Sequence, residues 1–133
     1  MNVLCCTKSL SPTMTKCVPH SHTVWEVILH KTGYVTSKIG ETTYNITVGD
    51  IIVIPPGVMH DGNSDIIYSD MYFQADNLDF FSPFVVHDFD GSVMILMNML
   101  HKVMAEKEKN YSAIANNIAQ TICQYIKKYS NVN

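Results

Sequence analysis

Hydrophobic positions alternate with polar ones over the first two thirds of the chain and then switch to a helical repeat. Residues 23–30 (TVWEVILH), 34–39 (YVTSKI), 43–48 (TYNITV), 50–54 (DIIVI), 66–73 (IIYSDMYF) and 84–89 (FVVHDF) are rich in Val, Ile, Tyr and Thr. Gly, Pro, Asn and Asp punctuate them, so each reads as a short strand. Strands of this length and spacing predict a mainly β fold, an antiparallel barrel or sandwich. Residues 1–18 read as an arm, with Pro12 in it, plus a first edge strand. From Ser92, a suitable N-cap, apolar residues recur at Val93, Leu96, Met97, Leu100, Val103 and Met104, which is the spacing of one helix face. A second helix, opened by Asn110, carries Ile114, Ile118, Ile122, Ile126 and Tyr129.

The first helix is apolar almost all round, because Met94, Ile95 and Met99 fill its other side. Such a helix must be covered on several sides. A groove between the barrel and the last helix would cover part of it, and a second subunit would cover more. We take the second reading, with Leu96, Met97, Leu100, Met104, Ile118 and Ile122 as dimerisation candidates.

The strand pattern also carries chemistry. His20, His22 and Glu26 have equal parity, so a single strand over 20–30 would point them to one face, together with Val24 and Ile28. His60 follows a Pro-Pro-Gly turn in GDIIVIPPGVMH, residues 49–60. Imidazoles with one carboxylate suit nickel, zinc, iron or manganese. The competing reading is a metal-free polar cluster in which a protonated imidazole partners Glu26. Val24, Ile28, Tyr44 and Tyr72 are the pocket-lining candidates, with core packing as the alternative for the aromatics. His30 is expected at the rim, His87 and His101 on the surface, Trp25 in packing on the opposite face, and Asp50 in a turn.

Charge and composition narrow the function classes. The chain of 133 residues is 47% hydrophobic with a net charge of −3, as expected of one globular domain. All nine basic residues are lysines. Without arginine forks, and with net negative charge, direct nucleic-acid contact is disfavoured. No apolar run is long enough for a membrane span, and the N-terminus lacks the build of a signal peptide, so a cytoplasmic location is expected. Cys5, Cys6, Cys17 and Cys123 lack metal-pair spacing and read as free thiols.

The spacing His20-x-His22, Glu26, Gly33, followed by Gly49, Pro55-x-Gly57, His60, resembles the two motifs of the cupin superfamily. That resemblance implies a double-stranded β-helix (jelly-roll) barrel with His20, His22, Glu26 and His60 as ligands of a divalent transition metal. Met14 and Ser64 stand where the family often has a motif Gly and Asn, which weakens a conventional cupin enzyme more than the fold. With two amphipathic helices after the barrel, the chain more narrowly resembles the N-terminal sensor domain of AraC-type transcription regulators. The resemblance implies a small-molecule effector in the barrel, a homodimer, no catalytic residues, and DNA contact through a separate helix-turn-helix region that these residues do not include. Residues 1–91 would be arm and barrel, and 92–133 a two-helix dimerisation segment packed on it as one compact unit. The alternative is a small stand-alone metal-dependent cupin enzyme, a dioxygenase or isomerase.

Overall fold

A computed structural model describes residues 1–8 and 14–130; Pro12 and the end of the predicted helical segment, 131–133, lie outside them. The elements are β1 (Val3–Lys8), β2 (Met14–His20), β3 (Trp25–Thr32), β4 (Val35–Ile39), β5 (Thr42–Ile46), β6 (Asp50–Ile54), β7 (His60–Ala75), β8 (Phe84–His87), α1 (Ser92–Glu106) and α2 (Tyr111–Ser130). The strands are antiparallel and run in the order β5-β4-β7-β3-β6-β8, with β1 and β2 also on β7. The fold is therefore mainly β, a near-closed barrel followed by two helices.

The 16-residue β7 organises the barrel. Its first half pairs β2 and β4, and its second half pairs β1 and β3, so one strand belongs to both walls. The sequence predicts a strand only from residue 66, because Gly62, Asn63 and Asp65 read as a turn. Pairing overrides that preference: Gly62 faces Cys17, and Asn63 faces both Lys16 and Thr36. A Cβ on Gly62 would lie 2.8 Å from the Tyr68 hydroxyl and 3.2 Å from Val35 Cγ2, so any larger residue there would have to displace them.

Two apolar layers result. Val27 and Leu29 of β3, Ile51 and Val53 of β6, and Met71 and Phe73 of β7 point outward into a core shared with the helices. Ile52, Ile54, Val35, Ile39, Ile46 and Tyr68 form a second cluster inside the barrel. Covering both faces explains why residues 51–54 are an unbroken apolar run. Trp25 packs on the helix-side core, 6.3 Å from Phe80 between ring centroids.

The helices are held differently from the sequence reading. Met97, Leu100, Ile118 and Ile122 are buried inside one copy of the chain, and Leu96 and Met104 pack half-buried against the same core. Of the six dimerisation candidates, four are thus buried and two half-buried in the groove between sheet and α2. The large apolar residues that α1 leaves exposed are Ile95 (65%) and Met99 (50%). Nor does Ser92 cap α1. Gly91 occupies the cap position with φ +78°, and the buried Asp88 carboxylate accepts from the backbone N–H groups of Val93 and Met94 at 3.0 and 2.9 Å. Asp88 also accepts from the Tyr129 hydroxyl at 2.8 Å, which bonds Asp90 as well. Burial, followed by these two carboxylate bonds, raises the Tyr129 phenol well above its ordinary value. The end of α2 is in this way locked to the start of α1. No helix among the described residues is long and apolar enough to cross a membrane.

Candidate metal centre and ligand cavity

Residues 20–30 are not one strand. His20 closes β2, a bend covers 23–24, and β3 starts at Trp25. Equal parity is therefore not what gathers the ligand-type residues. His20 is the cross-strand partner of His60, which puts the end of β2 beside the start of β7. The Pro-Pro-Gly turn pins the intervening segment, since Gly57 N–H donates to the His22 carbonyl at 2.8 Å. Glu26, the second residue of β3, points inward from the neighbouring wall. The imidazole centroids of His20, His22 and His60 lie 4.2–5.3 Å apart, and ring nitrogens of all three fall within 4.8 Å of one another.

Glu26 is nearly fully buried. It lies 3.1 Å from His22 Nε2 and 3.7 Å from His60 Nε2, and it accepts from Gln74 Nε2 at 2.9 Å. Gln74 is the register partner of Glu26 on β7, a role no motif in the sequence marks.

The second ring nitrogens fix the tautomers. His60 Nδ1 faces the Val58 carbonyl at 3.0 Å and His20 Nδ1 faces that of Val18 at 2.8 Å. A carbonyl accepts only, so each Nδ1 carries a proton, and in the neutral imidazole that leaves the Nε2 lone pair for the site. His60 Nε2 is buried without a hydrogen-bond partner among the described residues. A buried polar atom left so costs about 1–3 kcal/mol, and a cation offers the partner it lacks. Burial lowers the His60 pKa, as do its fellow imidazoles; the Val58 bond and the Glu26 charge only partly oppose this. A neutral imidazole with an outward-fixed proton is the form that ligates metals, and three imidazoles with one carboxylate fit nickel, zinc, iron or manganese. The residues present fit the ion that the fold implies.

The cluster opens into a cavity of about 350 Å³ inside the barrel. Ile28 and Tyr72 line it, as do Val35, Ile52, Tyr68, His30, Asp70, Thr7 and Cys17. Val24 and Tyr44 are outside the lining: Val24 sits in the bend before β3, and Tyr44 packs on the barrel's inner apolar cluster from β5. His30 is not a rim residue. It is 1% exposed, its Nε2 donates to the Gly33 carbonyl at 2.7 Å, and its ring stacks on Tyr68. Asp70 is its cross-strand partner. Burial, reinforced by the Glu26 charge, pushes the Asp70 carboxyl up to about 6. Sequence reasoning missed Asp70, yet the signal exists: Tyr68, Asp70, Tyr72 and Gln74 alternate with the core residues Met71 and Phe73. Elsewhere, Asp50 accepts from Thr47 N–H in its turn and pairs with His87 at 2.9 Å, while all four cysteines are free.

The sequence model of the AraC-like ligand binding domain family matches residues 5–113. Among solved structures, a conserved protein of unknown function from Streptococcus pyogenes is 18% identical with a TM-score of 0.45, the match covering 50% of this chain and 58% of that one. A cupin-2 domain protein from Shewanella frigidimarina is 22% identical with a TM-score of 0.42, covering 51% and 64%. A single-site variant of oxalate decarboxylase from Bacillus subtilis is 16% identical with a TM-score of 0.43, covering 46% and 18%. Each match thus spans less than two thirds of the other protein's length. No curated protein matches the chain. On the strength of the family match over most of its length, this chain belongs to the AraC-like ligand-binding domain family.

Proposed function

We propose that the chain is the effector-sensing and dimerisation part of a cytoplasmic AraC-type transcription regulator, which reaches DNA through a separate domain. Residues 1–91 act as arm and barrel, and 92–133 as the helical segment that meets a second copy. The observation that carries the reading is the orphaned His60 Nε2 at the end of a cavity inside a barrel of this family. His20, His22, Glu26 and His60 would hold a divalent metal. When bound, such an ion supplies Lewis acidity and an anchoring point for an effector oxygen or nitrogen. The chain's own residues orient the site: Val58 and Val18 fix the imidazole protons, Gln74 holds Glu26, and Ile28, Ile52 and Tyr72 form the wall against which an effector packs. Effector binding would act by favouring one of two arrangements of arm and helices.

Dimerisation falls to the exposed apolar residues of α1, Ile95 and Met99, with Ile114 of α2. Fused to a DNA-binding domain that grips its operator only when paired, the chain should restore operator binding. Ile95→Glu with Met99→Glu should reduce that binding by about tenfold or more, the burial of two apolar side chains being at stake. A fusion no better than the isolated DNA-binding domain would sink this reading.

A metal-dependent cupin enzyme is the second reading, and Asp70 favours it. A carboxyl with its pKa near 6 in the same cavity provides the acid or base that the sequence motifs lack. Protein that takes up no metal removes the enzyme and the cation site together, and the sensor then rests on the operator-fusion test.

A further inference from the structure

The cavity wall carries an uneven distribution of charge. Inward-facing side chains of β3 and β7 form a ladder of register partners: Glu26 beside Gln74, Ile28 beside Tyr72, and His30 beside Asp70. One end of the ladder is the imidazole cluster, the middle is apolar, and the far end is Asp70, four residues or roughly 13 Å along the strand from Gln74. Three carboxylates line the cavity, those of Glu26, Asp61 and Asp70.

The lining is correspondingly poor in fixed positive charge. Among the described residues Lys8 is the only lysine in it, and its register partner Met71 belongs to the helix-side core. The Lys8 charge is felt by Cys6 and by His101 of α1, on that outer side. The buried His30 is held toward its neutral form by desolvation. Asp70 is already engaged within the chain, but a carboxylate has several lone-pair sites and can accept a further donor.

We propose that the effector is a small protonated amine, its ammonium at Asp70 and its hydrocarbon body along Ile28 and Ile52; this rests on the reading of the cavity as an effector site. An anion of the same shape would be desolvated among carboxylates, whereas an ammonium gains a charge-assisted hydrogen bond with one. Tyr68 and Tyr72 line the same space, and an aromatic ring tolerates a neighbouring cation better than an anion. A metal at the imidazole cluster would offset the Glu26 charge and leave Asp70 to receive the cationic end.

Three isosteric probes test this by calorimetry on the whole chain, stripped of metal with a chelator: cyclohexylmethylamine, cyclohexylmethanol and cyclohexanecarboxylate. The amine should bind at least about tenfold more tightly than the alcohol, and the carboxylate more weakly than either. Asp70→Asn should bring the amine down to the level of the alcohol, while Asp79→Asn, a charge change on the exposed surface, should leave the ranking unchanged. The wild-type ranking needs no variant to be read, so a poorly folding Asp70→Asn does not block the test. Tighter binding of the alcohol or carboxylate would overturn the amine and keep the cavity as an effector site. If all three fail to bind, the amine proposal falls, and the operator-fusion experiment alone then judges the sensor.

Discussion

Asp70 and His60 both sit in surroundings that disfavour them, the one a buried carboxyl and the other a buried imidazole nitrogen left unpartnered among the described residues. At Asp70 the folded carboxyl titrates near 6 instead of its ordinary 3.8, so above pH 6 the folded state carries a charge that the unfolded chain carries more cheaply. Asp70→Asn is therefore expected to raise stability at pH 7.5 by on the order of 1–2 kcal/mol. The gain should fade as pH falls from 6 toward 4, because below the ordinary value both states are protonated. Urea midpoints of the two proteins at pH 4 and 7.5 check the sign; a loss at pH 7.5, or an equal gain at both, would contradict it. A destabilising carboxylate that persists in a cavity fits a binding role better than a packing one. At this scale the sequence was informative about residue types and blind to their partners. The His-x-His and Pro-x-Gly spacings marked His20, His22, Glu26 and His60, whereas Gln74 and Asp70 enter through strand register, which no local motif encodes.

Among the elements, helix positions were legible and their attachments were not. The repeat from Val93 to Met104 gives α1 its place, but the residue that caps it, Asp88, lies before the glycine cap and is reached only because the chain turns at Gly91. Likewise, β7 was read at half its length, since its first half owes its extended form to neighbours on both sides rather than to its own Gly, Asn and Asp. The clamp between Tyr129 and the Asp88–Asp90 pair should contribute measurably, because it ties the last turn of α2 to the start of α1. Tyr129→Phe keeps the ring and removes the hydroxyl, and should cost about 1–2 kcal/mol of unfolding free energy in urea. An unchanged midpoint would mean that Asp88 is sufficiently satisfied by the two helix N–H groups.

For the whole molecule, the barrel and the helices share one apolar layer, so a change inside the cavity has a short physical route to the helical surface. Ile28 faces the cavity while its neighbours Val27 and Leu29 face the helix-side core. The even and odd residues of one strand thus serve the site and the helix contact, respectively. Fold class was readable from strand spacing because it depends on period-2 patterning. The reading of α1 as partly an intersubunit helix chose residues that the groove between sheet and α2 already buries, Met97 and Leu100 among them. The cation site at the imidazole cluster is open to direct measurement. Calorimetric titration of the chelator-stripped chain with nickel or zinc should give one site per chain, and His60→Ala should weaken it by about tenfold or more while the fold, followed by circular dichroism, is retained. A wild-type chain that takes up neither ion, or a His60→Ala variant that binds as well as wild type, would contradict it.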